Sequence, residues 1–238
     1  MYIKKDLITY KFAFKFEDER NITFDIRIEP LTMNLLRNSS EYPEWTKMDH
    51  FKCPHCPLNS NEYIYCPVAV NLNSVIKSFN NVSSFDKVFI EVISEERGYF
   101  KKTDVQSGVS SLIGILMVTS GCPIMGKLKP MVRFHLPFAT LDETEYKVFS
   151  MYLLAQFVKR VNGLEPDWDL VKLQKIYDDI KILNINVASK IADLEAKDAS
   201  INAVVVLNNF ADIVSFSIEE QDLSNFNIYF KDYLKEQD

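Results

Sequence analysis

The stretch ITYKFAFKFEDERNITFDIRI (residues 8–28) alternates apolar and polar side chains on both sides of a polar turn. Every second residue from Tyr10 to Phe16 is aromatic, and every second residue from Ile22 to Ile28 is apolar. A period of two places such residues on one face of a strand. The stretch therefore predicts an antiparallel β-hairpin with one buried face, which the rest of the chain must cover.

The residues after the hairpin are predicted to pack on its buried face. Residues 68–79 carry apolar side chains at helical spacing behind Pro67, which suits a first-turn position. Lys87 to Ile93 is predicted to be a strand, and Glu95 to Lys102 a polar link. Thr103 or Asp104 can cap a helix that runs to about Thr119. That helix is apolar nearly all round, so we expect it to be buried.

The second half of the chain reads as helical. Thr140 and Glu143 form a capping-box pattern that opens a helix to about Val161. Further helices are predicted over residues 167–196, 199–217 and 222–235. The fold class is therefore α+β, with a small antiparallel sheet, a packed helix and a Cys-rich loop before a helical half. We expect residues 1–238 to form one integrated unit, α+β over 1–139 and helical over 140–238.

The long predicted helix contains a heptad series with Asn184 at an a-like position. One interpretation is an intramolecular helical hairpin with residues 199–217. The other is a homodimer seam, in which a buried Asn sets the register. The predicted partner is accordingly another protein or a second copy of the chain, bound through the helical half.

Composition excludes several classes of protein. The chain has 238 residues, a formal net charge of -6 and 47% hydrophobic residues, so it can bury a core and repels phosphate backbones. Nucleic-acid binding is not expected. The first residues lack a signal-peptide core, and the longest apolar runs are too short to span a membrane. We therefore predict a cytoplasmic protein without membrane attachment.

Each of the four cysteines precedes a proline. Cysteines in the reducing cytosol are more often metal ligands or free thiols than disulfides. The spacing C-x2-C-x9-C with one distant cysteine predicts a structural zinc site, because zinc takes four ligands and thiolates suit it. The predicted ligands are Cys53, Cys56, Cys66 and Cys122. His55 or His135 could replace one of them, and buried free thiols are the alternative to any metal.

Signals for catalysis are weak, and no catalytic residue is identified. A nucleophilic pair of His135 with Cys66 or Cys122 is conceivable, but metal binding would consume the thiolate. Gly121 to Leu128 matches G-x4-G-K but has Leu128 where a P-loop needs Ser or Thr. We therefore expect no nucleotide hydrolysis and no organic cofactor.

A set of polar residues lies near the start of the helix predicted after Asp104. Helix N-termini attract anions, so these residues could form a pocket for an anionic small molecule. The simpler interpretation is that they are solvated capping residues. The candidate ligand-binding residues are Arg97, Lys101, Gln106, Arg133 and His135.

Several stretches together resemble an uncharacterised bacterial family of cytosolic proteins that carry a domain of unknown function. Pro166-Asp-Trp168 belongs with them, and the resemblance spans most of the chain. It implies no activity, substrate or catalytic residue. The stretches are Tyr10-Lys-Phe-Ala-Phe14, Pro43-Glu-Trp-Thr46, Cys53-Pro-His-Cys-Pro57, Cys66-Pro-Val-Ala-Val-Asn-Leu72, Ser120-Gly-Cys-Pro123 and Pro130-Met-Val-Arg-Phe-His-Leu-Pro-Phe-Ala139.

Two functions remain open from the sequence. The first is a non-enzymatic cytosolic sensor, adaptor or scaffold that uses zinc structurally. The second is an enzyme or small-ligand sensor with an anionic-ligand pocket around Arg97, Gln106, Arg133 and His135. A closed four-sulfur site favours the first, and an open coordination position or a deep cavity lined by those residues favours the second.

Overall fold

The protein is α+β, as the sequence predicts: an N-terminal antiparallel sheet is followed by a helical half. The structure is a computed structural model, and it describes residues 6–37, 42–192, 194, 196–220 and 222–235.

The sheet has four antiparallel strands in the order β2-β1-β3-β4. Phe12 of β1 stands opposite Phe24 of β2 and Val92 of β3, so the aromatic face of the predicted hairpin lies in the middle of the sheet. Phe12 and Phe14 are fully buried. The strands are β1 (Ile8–Phe16), β2 (Asn21–Ile28), β3 (Lys87–Ser94) and β4 (Gly98–Asp104).

Strand β4 corrects the sequence prediction, which placed a polar link over Glu95 to Lys102. Only the turn before Gly98 is a link, and β4 then pairs with β3 along its whole length. The residues of β4 are exposed or half-buried, as in an edge strand with one neighbour. Lys101 and Lys102 are adjacent in β4, so this strand lacks the alternation of apolar and polar residues from which β1 was predicted.

Three helices belong to the N-terminal half: α1 (Met48–Phe51), α2 (Pro67–Phe79) and α3 (Val105–Val118). Helices α2 and α3 cover the buried face of the sheet. The ring of Phe79 on α2 lies 5.0 Å from the ring of Phe14. Asp104 caps α3 by accepting a hydrogen bond from the Ser107 N–H, which confirms the predicted start.

The helical half contains α4 (Lys129–Arg133), α5 (Leu141–Val161), α6 (Val171–Ile191), α7 (Ala199–Glu219) and α8 (Asn227–Leu234). The capping box of Thr140 and Glu143 is present at the start of α5, as predicted. Helix α7 packs against both α3 and α6, so the helical half is built onto the core of the first half.

Helix α6 is shorter than the predicted helix over residues 167–196. Leu170 has a left-handed backbone with φ of 61°, which a continuous right-handed helix does not allow. The Asp167 carboxylate instead accepts bonds from the Tyr152 hydroxyl and the Lys172 N–H. The residues before Val171 therefore form a turn tied to α5.

Asn184 is 2% exposed and lies on the α6 face that packs against α7. This arrangement corresponds to the intramolecular alternative of the heptad series. Self-association of the chain stays a prediction.

Helix α7 is, by length and composition, the one helix within the described residues that could cross a membrane, with a mean hydropathy of 1.5 over its most apolar window. A single helix of this kind is weak evidence, because core helices pass the same test. Here α7 is held between α3 and α6.

Candidate metal centre and adjoining cavity

The four cysteines come from separate parts of the fold. Cys53 and Cys56 lie in the loop after α1, Cys66 directly precedes α2, and Cys122 follows the end of α3. Helices α2 and α3 are joined near these ends by the Asn71 side-chain N–H, which donates to the Leu116 carbonyl at 2.8 Å. All four cysteines are free thiols, and all but the half-buried Cys56 are buried.

The four thiols are close enough to affect one another's ionisation. Burial is the main cause that raises the pKa of Cys53 to about 12, and the other three thiols raise it further. Burial likewise raises the pKa of Cys66 to about 11, with Cys122 and Cys56 adding to the effect. Burial also raises the pKa of Cys122, and Cys56 again contributes. Every pair among the four sulfurs is thus coupled electrostatically.

Backbone N–H groups affect the ionisation of two of the thiols. The N–H groups of Val68 and Ala69, in the first turn of α2, lower the pKa of Cys66 against the effect of burial. Those of Ile124 and Met125 do the same for Cys122. In both cases these groups come two and three residues after the cysteine and favour the thiolate.

The backbone path gives the Cys-Pro pairs at Cys66 and Cys122 a physical reason. Pro67 is the first residue of α2, and Pro123 lies in the turn in which the Gly126 N–H donates to the Cys122 carbonyl. Proline has no N–H and a fixed φ, so it suits the first position of a helix or turn.

The loop with Cys53 and Cys56 is a tight turn. The Cys56 N–H donates to the Cys53 carbonyl at 3.1 Å, which brings the two residues to one side. The Asn186 side-chain N–H, from α6, donates to the Cys53 sulfur at 3.4 Å. Helix α6 therefore supports this turn.

His55 lies inside the turn and contacts α6 with its ring. Its Nε2 is 2.8 Å from the Asp179 carbonyl oxygen. A carbonyl only accepts, so Nε2 carries the proton and Nδ1 keeps a lone pair. Nδ1 is buried and has no hydrogen-bond partner among the described residues. The role of His55 as an alternate metal ligand stays a prediction.

The sulfurs have not converged to coordination distances. Within the part of the chain that the structure describes, no three or more His, Cys, Asp or Glu side chains form a group that could hold a metal ion as they stand. The mutual effect on ionisation reaches further than a zinc–sulfur bond of about 2.3 Å. The two observations together describe a cluster of neighbouring thiols that is not closed.

A cavity of about 260 Å³ lies between α3, α4, α6 and α7, and none of the four cysteines is among its lining residues. Lys101 and His135 line it, whereas Arg97, Gln106 and Arg133 are not among its lining residues. Arg97 is exposed in the turn before β4, and Arg133 is exposed at the end of α4. Gln106 lies in the first turn of α3, where its N–H donates to the Ser84 carbonyl.

His135 lies just after α4, a short helix that Pro130 opens near its first position. His135 Nε2 is 3.2 Å from the Ser111 hydroxyl oxygen, and the His135 ring packs edge-on against Tyr10. Burial lowers the pKa of His135 to about 3, and Lys147 adds to this shift.

Several polar residues of the cavity were not recognised as candidates for binding, Lys147 among them. Three others are Ser111, Tyr177 and Asn184. Asn184 stood out only as a polar residue in an apolar heptad series. Nothing in the local sequence distinguishes the other two.

Comparison with known proteins gives a family but no activity. No curated protein and no solved structure matches the chain. A family model described as a domain of unknown function, DUF6901, matches residues 8–231. Since this range holds the sheet, all four cysteines and every helix that lines the cavity, the chain belongs to the DUF6901 family, a domain of unknown function.

Proposed function

We propose that the protein is a non-enzymatic cytosolic sensor, adaptor or scaffold whose fold is held together by a structural zinc ion. The observation that supports the proposal is that four buried or half-buried thiols from three separate segments lie near enough to affect one another's ionisation, although they do not form a closed metal site as they stand. We also propose that the protein comes from a bacterium.

The donor set fits zinc. Bringing four thiolates together without a cation is costly, whereas Zn²⁺ binds four sulfurs tetrahedrally. The Asn186 amide, which donates to the Cys53 sulfur, would help to orient a thiolate ligand. The backbone N–H groups that follow Cys66 and Cys122 favour the thiolate at those two positions. Cys53, Cys56, Cys66 and Cys122 would hold the ion.

A structural role follows from the number of thiols. Four sulfurs complete a tetrahedral shell and leave no position for water or substrate. Residues 52–66 contain no helix or strand of their own. Zinc would join this loop to α2 and to the end of α3, so part of its binding energy would be folding energy.

Enzymatic chemistry has less support. Thiols with a raised pKa are poor nucleophiles at neutral pH. The Ser111–His135 contact lacks a carboxylate on the imidazole among the described residues, as Lys147 is the charged group that shifts its pKa. The alternative pocket around Arg97, Gln106, Arg133 and His135 is weakened because only His135 of these four lines the cavity.

The helical half offers a surface for a protein partner or for self-association. Helix α5 exposes Leu154, Phe157 and Val161 along one side. Helix α8 lies next to α5, with the rings of Tyr146 and Phe230 stacked at 6.4 Å, and exposes Tyr233. Exposed apolar side chains grouped in this way are typical of interaction surfaces.

Metal analysis tests the zinc site. We expect about one zinc per chain in protein purified without added metal, and loss of zinc in Cys56→Ser and Cys122→Ser. Cys122→His should keep zinc, because imidazole is also a ligand. His55→Ala is the matched control: it loses the bond to Asp179 but should keep the ion.

Two outcomes would contradict the zinc proposal. One is purified wild-type protein without stoichiometric zinc that still folds and resists chelators. The other is retention of zinc in both serine variants. Loss of zinc in His55→Ala, with retention in Cys122→Ser, would move the fourth ligand to His55.

A further inference from the structure

The cavity between α3, α4, α6 and α7 is large and mostly apolar. It has a volume of about 260 Å³ and is open to solvent on one side. The apolar walls come chiefly from α3, α4 and α7, with Ile115, Val118, Val132, Leu207 and Phe210.

One polar side chain of α6 faces this cavity without a partner. The Asn184 amide oxygen is buried, in a residue that is 2% exposed, and accepts no hydrogen bond from the described residues. Buried polar groups are nearly always hydrogen-bonded, so this oxygen calls for a donor that the described part of the chain does not supply.

The charged groups of the cavity are all basic. Lys101 and Lys147 line it, and no Asp or Glu does among the described residues. The Lys147 ammonium donates to the Phe134 carbonyl at 2.8 Å, which leaves it further donors. Burial lowers the pKa of Lys147, so a neighbouring anion that offsets the lost hydration of its ammonium would be favoured there. Lys101 is exposed and stands where the cavity meets solvent.

We infer that this cavity binds a small amphipathic carboxylic acid of about ten non-hydrogen atoms that carries a second polar group with a hydrogen to donate. The carboxylate contacts Lys147 and Lys101, the apolar body lies between α3 and α7, and the second polar group, a hydroxyl or amide N–H, donates to Asn184. His135 and Ser111 bond to each other at the wall. The site is independent of zinc and goes beyond the function proposed above.

Four probes of one chain length separate these features: 3-hydroxyoctanoate, octanoate, 1-octanol and octylamine. Calorimetric titration of the full chain with each probe should give the tightest binding for 3-hydroxyoctanoate, then octanoate, then octanol. Octylamine should not bind, because its ammonium meets two lysines. Each probe that binds should also raise the unfolding temperature.

Variants assign the contacts. Lys147→Met should weaken octanoate by about tenfold and leave octanol unchanged, since one charge-assisted bond is lost. Lys127→Met, an exposed lysine outside the cavity, is its control. Asn184→Leu should abolish the preference for the hydroxy acid over octanoate. Asn208→Leu is its control, because Asn208 also has a buried unpartnered oxygen but does not line the cavity.

A filled cavity provides the last test. Ala211→Phe places a ring in the cavity and should abolish binding of every probe while the far-ultraviolet circular dichroism stays that of the wild type. The inference is overturned if none of the four probes binds, if octylamine binds as well as octanoate, or if Ala211→Phe binds normally. Equal losses in the Lys147 and Lys127 variants would overturn the placement of the carboxylate.

Discussion

His135 shows how one half-buried base can make stability depend on pH. Its ring packs against Tyr10 and Phe12, and its Nε2 contacts Ser111. Burial first, and the nearby Lys147 second, lower the pKa of His135 to about 3. The folded protein therefore holds His135 neutral, whereas an unfolded histidine titrates near pH 6.5.

We expect the free energy of unfolding to fall as pH drops from about 6.5 toward 3, because only the unfolded chain takes up this proton in that window. Above pH 6.5 the contribution is fully present. The slope is at most about 1.4 kcal/mol per pH unit. His135→Gln, which can still bond to Ser111, should lose less stability than the wild type between pH 7 and pH 5 in urea unfolding. Exposed His50→Gln is the control, and equal slopes in all three proteins would contradict the assignment.

At the scale of the element, α3 carries two glycines in very different surroundings. A Cβ at Gly108 would lie 1.9 Å from Ile90 Cδ1 and 3.0 Å from Phe14 Cε1. Both neighbours are fully buried, so neither has room to move. A Cβ at Gly114 would have its nearest contact at 3.6 Å, to Leu207 Cδ2. Gly108 thus sets how closely α3 approaches the sheet.

We predict that Gly108→Ala destabilises the protein by about 1–3 kcal/mol through overpacking. Gly114→Ala should be neutral or stabilising by up to about 1 kcal/mol, since alanine favours a helix. Urea unfolding of the two variants side by side measures the difference. Equal effects would mean that α3 does not approach β3 as closely as described.

The loop before α2 is the element that depends most on the proposed zinc. If the metal orders residues 52–66, a chelator should make trypsin cleave faster after Lys52. Cleavage after Lys231 in α8, which is remote in sequence, serves as the internal control. Unchanged cleavage at Lys52 in fully demetallated protein would mean that the loop is ordered without zinc.

At the scale of the whole molecule, contacts between the two halves predict one folding unit. His55 contacts the Asp179 carbonyl, and the Ser84 hydroxyl donates to Asp198 at 3.0 Å. Helix α3 also packs along α7. The two halves therefore share contacts that both lose if either one unfolds.

The two tryptophans can test this unity. Trp45 lies in the first half, where its ring is 5.7 Å from the ring of Phe51, and Trp168 lies in the turn before α6. In Trp168→Phe only Trp45 reports, and in Trp45→Phe only Trp168 reports. In urea, we expect the fluorescence transition of each variant to have the same midpoint as the circular dichroism transition of that variant. Trp45 and Trp168 would then report the same unfolding step. Separate midpoints within one variant would show two units.

Local signals accounted for most of the elements. The hairpin, the Asp104 cap and the Thr140 capping box were predictable because each depends on side chains within a few residues. Strand β4 and the start of α6 were not, since pairing with β3 and the bond from Tyr152 to Asp167 come from distant residues. The four cysteines were recognised as a set from their residue type and spacing. The backbone N–H groups that act on Cys66 and Cys122 could be identified only from the path of the backbone.

The sequence by itself determined the fold class, the helix starts and the thiols that could share a metal, because alternation, caps and residue chemistry act locally. Only the tertiary structure decided the cavity. It brings Lys101 of β4 and His135 of the turn after α4 to the same cavity. It also leaves the Asn184 amide oxygen, on α6, without a hydrogen-bond partner among the described residues. These residues lie far apart along the chain, and no local pattern records that packing brings them together.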